Sequence, residues 1–495
     1  RNNSCPGSAS YGGGIYFDDG SGQIIKNAVI YNNTATMGGG ISLQATYNGS
    51  STEPIFINTT LVNNNSIASS GGIDLQNGGY ATFINSVLWG NLPSNAELNS
   101  NPAISELTFQ YSNVENGANG IVVNDSCVVN WGDGNIDVDP MFVDSANGNY
   151  HLLASSMLIN AGHPDSTDSD GTIADIGAYP YLNSYSGPTW YITESGNDTT
   201  ATGASDDPFR SIQAGINFSS DDDSVTVAVG TYVENINFRG RNIKVAGADR
   251  ETTIIDGESA GTVVSMSACS NTTLLSGFTL KNGAGVNGGG LYLFNSETIL
   301  SDLLITENSA STNGAGIYFD SSNPSLENVI ISGNSATGGG GGIYFRYFSS
   351  PSLENISIIN NSATGNSGRG GGLRCTTNSD PTLVNVLISD NTATQEGGGV
   401  FCYNSDPSFV NVTISGNVSA IADGGGLFIQ NNSNVNLLNT IIASNNSNDI
   451  EFSSTGDTSM ITLLYSNIDG GQDSIITNDN GTVIWGDGNI DEDPM

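Results

Sequence analysis

The sequence predicts an all-β fold, a right-handed parallel β-helix: a solenoid of about 26 residues per coil with a short capping helix at the module start. Three observations predict it. Glycine clusters recur at Gly290, Gly316, Gly342, Gly372, Gly399 and Gly426, each followed by a strand-like triplet, LYL, IYF, IYF, LRC, VFC and LFI. A second strand follows each triplet, as in PSLENVIISGN from Pro324, PSLENISIINN from Pro351, PTLVNVLISDN from Pro381 and PSFVNVTISGN from Pro407. No helical period intervenes, which excludes a βαβ fold, and in-register recurrence at this spacing excludes a sandwich.

Each element follows from its residue types. First and third triplet residues are apolar and share one face, so the middle residue points the other way. Proline stands at the turn into the second strand, where a missing N–H does least harm. In stacked coils equivalent positions lie about 4.8 Å apart, so repeated residues form ladders. One ladder is expected from Asn328, Asn355, Asn385, Asn411 and Asn439, and another from Asn334, Asn361, Asn391, Asn417 and Asn445. Cys375 and Cys402 share the inward third position and are expected as stacked thiols, because bridge geometry is demanding.

A longer period is superposed. Residues 111–141, ending WGDGNIDVDPM, match residues 465–495, ending WGDGNIDEDPM, at an offset of 354 without a gap. The expected organisation is the C-terminal part of one module at 1–182 with its end segment, a linker at 183–188, and a second module at 189–495 that stops before its own end segment. The chain is accordingly expected to start inside a larger protein. Asp207 to Phe218, with Pro208 near its first turn and Phe209, Ile212 and Ile216 on one side, reads as the short helix covering the first coil.

Composition bounds the function. Forty-nine acidic and eleven basic residues give a net charge of −38, which repels nucleic acid and anionic membrane surfaces and favours solubility and cation binding. No apolar stretch is long enough to span a bilayer, so no transmembrane segment is expected. An apolar share of 37% argues for order, and charged residues at 12% with 64 glycines suit turn-rich β structure.

The GGG[IL]YF and ISGN patterns resemble polymorphic outer-membrane-protein repeats within the pectate-lyase-like right-handed β-helix superfamily. Residues 139–181, DPMFVDSANGNYHLL through DIGAYPY, are similar to the module ends of choice-of-anchor β-helix proteins. The resemblance implies secretion, surface display and commonly adhesion. It implies no one activity, because this fold hosts lyases, hydrolases, epimerases and inert stalks.

Candidate sites are few. The outward triplet residues Tyr292, Tyr318, Tyr344, Arg374, Phe401 and Phe428 form a stripe that can stack between coils, contact a partner or bind a glycan. Alternating oxygen donors at Asp133, Asn135, Asp137 and Asp139, repeated at Asp487, Asn489, Asp491 and Asp493, resemble half of a Ca²⁺ loop. Asp165, Asp168, Asp170 and Asp175 make a second candidate Ca²⁺ cluster. Solvated aspartate turns are the competing reading of both. No catalytic residue is assigned: Asp380 and Asp406 sit in NSDP turns, and His151 and His163 lie in the module end.

The functional expectation is an extracellular surface stalk, adhesin or fibre segment, with surface glycans or self-association into fibres as partners. The alternative is a polysaccharide-binding protein, or a polysaccharide lyase or hydrolase, working on the β-helix face.

Overall fold

In the computed structural model, which describes residues 1–492 except 6, 8–9, 19–21, 46–52, 101–102, 422 and 447, the chain is a parallel β-solenoid. It divides into two compact units, residues 1–186 with 197–202, and residues 187–196 with 203–495. Among the described residues no helix is long and apolar enough to cross a membrane.

In the second unit each coil contributes to parallel sheets. The triplets form a nine-stranded sheet that includes Leu291–Phe294, Ile317–Asp320, Ile343–Arg346, Leu373–Thr376, Val400–Tyr403 and Leu427–Gln430. The second strands, such as Ser352–Ile359 and Thr382–Ser389, belong to an eighteen-stranded sheet, and short pairs such as Ser335–Ala336 and Ser362–Ala363 to a six-stranded one. Pairing is in register, Leu291 with Ile317 and Ile317 with Ile343, so the sequence period becomes the stacking period. Inward residues Leu293, Phe319, Phe345, Cys375 and Cys402 are buried, and the Phe319 and Phe345 rings stack at 5.2 Å. Cys375 pairs in register with Cys402, and both thiols are free; burial raises the Cys375 thiol well above its ordinary value.

Both asparagine ladders form, and they do different work. Asn334, Asn361, Asn391 and Asn417 are buried, and each donates Nδ2 to the Oδ1 of the next at 2.9–3.1 Å. Each also donates to a strand carbonyl, as Asn361 does to Ile331 at 2.9 Å. The outer ladder bends the long strand: Asn355, Asn385 and Asn411 all hold φ near +57°, a conformation asparagine tolerates better than branched residues. A third ladder was not anticipated. Ser322, Ser349, Ser379 and Ser405 are buried, and the backbone N–H of each donates to the hydroxyl of the next serine at 3.1–3.2 Å. The residue before Asp380 and Asp406 therefore holds the turn, while the two aspartates are exposed.

The glycine clusters make room for these ladders. Gly340 takes φ +64°, and a Cβ there would stand 2.8 Å from the Cβ of Tyr344; a Cβ on Gly342 would stand 3.1 Å from Nδ2 of Asn361. The capping helix is shorter than its sequence suggested, Ile212–Phe218 instead of 207–218. Phe209 is drawn into backbone pairing with Tyr191, and Glu234, not Asp207, caps the first turn by accepting from the N–H of Ile212 and Gln213 at 2.8 and 3.0 Å. Every helix residue is buried, consistent with a lid on the first coil.

The first unit stacks a five-stranded and a seven-stranded parallel sheet. After its last coil, residues 140–181 run back along the outside of the seven-stranded sheet as a strap. The strap opens with the antiparallel pair Phe142–Asp144 and Asn149–Leu152.

Candidate functional site

The outward stripe of the second unit lies in perfect register, Tyr292, Tyr318, Tyr344, Arg374, Phe401 and Phe428 in order. Neighbouring rings stack at 5.3–5.8 Å, and the Arg374 guanidinium fills the gap between Tyr344 and Phe401, 5.1 and 5.3 Å from their centroids. The stripe is not open, however. Tyr318 is 1% exposed and Phe401 2%, and Tyr344 and Phe428 are also buried; only Tyr292 and Arg374 are partly exposed. The glycine-rich segment ahead of each triplet crosses the outward side chain. Gly339 packs on Arg374, and Arg369, paired with Glu396 at 2.6 Å, lies 5.7 Å from the Phe401 ring centre. The faces of Tyr318, Tyr344, Phe401 and Phe428 are thus spent on one another and on Arg374, which closes them to a sugar from outside.

What this edge does show to solvent lies one to three residues further on. Phe294 and Tyr403 occupy the outward fourth strand position and are exposed, and Tyr347 and Phe348 follow Arg346 in the turn. Tyr347 and Phe348 both adopt left-handed φ, +50° and +59°, where equivalent turns place Thr377, Asn378, Asn431 and Asn432. Bulky aromatics are uncommon in that conformation, and Phe348 is 65% exposed. Arg346 lies against the Tyr347 ring, 4.1 Å from its centre, and donates to the hydroxyls of Tyr318 at 3.0 Å and Tyr347 at 2.5 Å. Its sequence signal is the aromatic pair Tyr347 and Phe348 in a turn position that is otherwise polar, outside the periodic triplets.

The alternating acids do not converge. Asn135 turns its amide into the coil, donating to the carbonyls of Phe109 and Gly132 at 3.0 and 2.9 Å and accepting from the N–H of Ser112 at 2.9 Å. Asp137 accepts from the N–H of Asn116 and Asp139 from that of Met141, while Asp133 offers its backbone carbonyl to Tyr111. The second copy repeats this arrangement. Asn489 donates to Leu463 and Gly486 and accepts from Ser466, Asp491 accepts from Gly470, and Asp487 offers its carbonyl to Tyr465. Asp493 lies outside the described residues. Asn135, Asp137 and Asp139 thus each spend their side-chain oxygen on a different backbone N–H, and the expected four-oxygen loop is not assembled.

The second acidic cluster is likewise occupied. Buried Asp175 accepts from the N–H of Asn160 and Tyr181, both at 2.7 Å, Asp168 from Asp175, and Asp170 from Thr172 and Asn183. Asp165 is exposed, its N–H bonded to Nδ1 of His163. Among the described residues no three His, Cys, Asp or Glu side chains are grouped closely enough to hold a metal ion. The two histidines pack in the strap region, His151 on Tyr179 and His163 against Tyr111.

One carboxylate stands apart. Asp74, at the outward position of the five-stranded sheet, is fully buried, in register with Ser42 on one side and Glu97 on the other. Gln76 donates to its Oδ2 at 2.9 Å, and the nearby Ser42 and Ser69 hydroxyls ease its charge less than burial penalises it. Burial pushes Asp74 up to about 7, with the Glu97 charge adding to it. Enclosed in this way it cannot touch a substrate, and its consequence is for stability. A folded-state pKa above the unfolded value favours the fold below the ordinary carboxylate range, and that advantage is lost as pH rises through about 7. Urea unfolding of Asp74→Asn is expected to be less pH-dependent than that of the parent between pH 5 and 8, with the variant the more stable at pH 8. Parallel pH profiles for the two proteins would sink this account.

Residues 260–422, about a third of the chain, match the family model described as the right handed beta helix region. No curated protein matches the chain. Among solved structures it is similar to pectate lyase Pel9A, at 13% identity and a TM-score of 0.38 over 61% of this chain and 78% of that one. It is also similar to pectin methylesterase from carrot, at 13% identity and 0.27 over 62% and 80%. The A-module of the mannuronan C-5 epimerase AlgE4 from Azotobacter vinelandii shows 14% identity and 0.27 over 55% and 91%. At these scores the likenesses carry no argument about activity.

Proposed function

We propose that this chain is an extracellular structural and adhesive repeat module, a segment of a surface stalk or fibre. The observation that carries the reading is that the repeated polar residues are spent on holding coils together, in the same way in both copies. The N–H of Ser112 meets Asn135 Oδ1 at 2.9 Å, and 354 residues later the N–H of Ser466 meets Asn489 Oδ1 at 2.9 Å. Asp74 and Asp175 are enclosed and Asp137, Asp139, Asp168 and Asp170 are bonded to backbone N–H groups, while repetition of a stiff stacked unit supplies reach.

A second reading, recognition of a polysaccharide, draws on the exposed aromatics Phe294, Tyr347, Phe348 and Tyr403 beside Arg346. Exposed ring faces and a guanidinium suit stacking and hydrogen bonding to sugar rings. Incubation with a panel of acidic and neutral polysaccharides separates the readings. The structural and adhesive module is expected to leave chain length unchanged, and any retention on a glycan matrix is expected to fall in Tyr347→Ala with Phe348→Ala. Shortening of any polysaccharide would overturn the proposal.

A further inference from the structure

The strap of the first unit covers a face whose counterpart in the second unit is bare. In the first unit the N–H groups of His163 and Gly177 donate to Oδ1 and the carbonyl of Asn85, at 2.7 and 2.8 Å. Ala178 donates to Oγ1 of Thr60 at 3.0 Å, and the His163 ring meets Tyr111 edge-on at 4.8 Å. Under the strap Thr60, Val87, Asn85 and Asn113 are fully buried.

The 354-residue repeat places Asn439 at the position of Asn85 and Tyr465 at that of Tyr111, and strand register places Thr413, at an offset of 353, at that of Thr60. The row Thr60, Val87, Asn113 is matched in register by Thr413, Ile441, Asn467. Every one of these groups is more open: Thr413, Ile441 and Asn467 are partly exposed, Asn439 is exposed, and Tyr465 is 61% exposed, with Leu438 and Leu464 exposed beside them.

The asparagine ladder differs between the two faces in a matching way. In the second unit Asn439 Nδ2 donates to Asn411 Oδ1 at 3.2 Å. In the first unit the equivalent atoms, Asn85 Nδ2 and Asn58 Oδ1, are buried and make no such bond, while Asn85 Oδ1 accepts from the strap. The bare face keeps this rung of the ladder, and the covered face lacks the rung and holds the strap at the oxygen of the same asparagine.

We infer that the face formed by Thr413, Asn439, Ile441 and Tyr465 is a docking site for a strap with the sequence of residues 142–181. The acceptors that hold the strap in the first unit, a threonine hydroxyl, an asparagine side-chain oxygen and carbonyl, and a tyrosine ring, all recur on this face at the same register. The site does not depend on the adhesive reading, since it is a property of how modules of this type close their sides.

The test is a labelled peptide of residues 142–181 added to the full chain, read by fluorescence anisotropy and by hydrogen exchange. Saturable binding is expected, with exchange slowed around 412–415, 439–442 and 465–468. Tyr465→Ala combined with Thr413→Val is expected to weaken binding at least about tenfold, whereas Tyr111→Ala in the first unit leaves it unchanged. Tyr465 and Thr413 are open side chains, so the double variant should melt with the parent, and a melting scan checks this. No saturable binding overturns the inference. So does binding that the double variant leaves intact, or concentration-dependent self-association through this face that the peptide fails to displace.

Discussion

Asn361→Ala is expected to lower the unfolding free energy of the second unit by about 3–5 kcal/mol, the sum of a few orphaned buried groups. Its Oδ1 accepts from both the backbone N–H and the Nδ2 of Asn334 at 3.0 Å, and its own Nδ2 donates to Ile331 O and Asn391 Oδ1. Alanine leaves two donors and a carbonyl in a site that is 1% exposed. Because each coil rests on its neighbours, the loss should reach adjacent coils and also reduce the cooperativity of unfolding. Urea denaturation followed by far-ultraviolet circular dichroism measures it. Ser352→Ala, exposed on the same coil, is expected to stay within about 0.5 kcal/mol of the parent. A parent-like midpoint for Asn361→Ala would show that the ladder follows from the coil and does not hold it.

The second large effect reverses an ordinary rule. Gly→Ala at a compatible backbone stabilises by about 0.4–1 kcal/mol through the unfolded chain. At Gly341 the new Cβ would stand 2.5 Å from the carbonyl oxygen of Gly371 on the next coil and closer still to that of Ser362. Both neighbours are backbone, fixed by the stacking itself, so relief requires coils to part. Gly341→Ala is therefore expected to cost about 3 kcal/mol or more, at the high end of single-substitution effects. Gly261→Ala, where a Cβ meets nothing within 4 Å and φ is not left-handed, is the matched control and is expected to be neutral or mildly stabilising. Equal melting temperatures for the two variants would remove close coil packing as the reason for the glycine clusters.

The ladders and the acidic motif differ in how far the sequence reveals them. Asn361 was legible because it recurs at the coil period beside Asn334 and Asn391, and in-register parallel stacking turns that period directly into contact. The serine ladder recurs just as faithfully at Ser322, Ser349, Ser379 and Ser405, but its serines sit among other turn residues and were absorbed into the NSDP pattern. The aspartates of the WGDGNID motif were misleading for the opposite reason. Their alternation looks like a ligand series, and only the turn of Asn135 into the coil shows that the motif closes a coil.

Sequence by itself determined the period, the inward residues of each triplet, the buried asparagine ladder and the 354-residue recurrence, since all of these are nearest-neighbour properties of a one-dimensional stack. Tertiary structure alone decided which outward residues meet solvent. The rings of Tyr318 and Phe401 vanish under glycine-rich crossings, Phe348 stands out, and Asn85 is covered where Asn439 is open. The path of a crossing loop or a returning strap is set by backbone contacts and closures between residues far apart in sequence, and these leave no periodic trace in side-chain pattern.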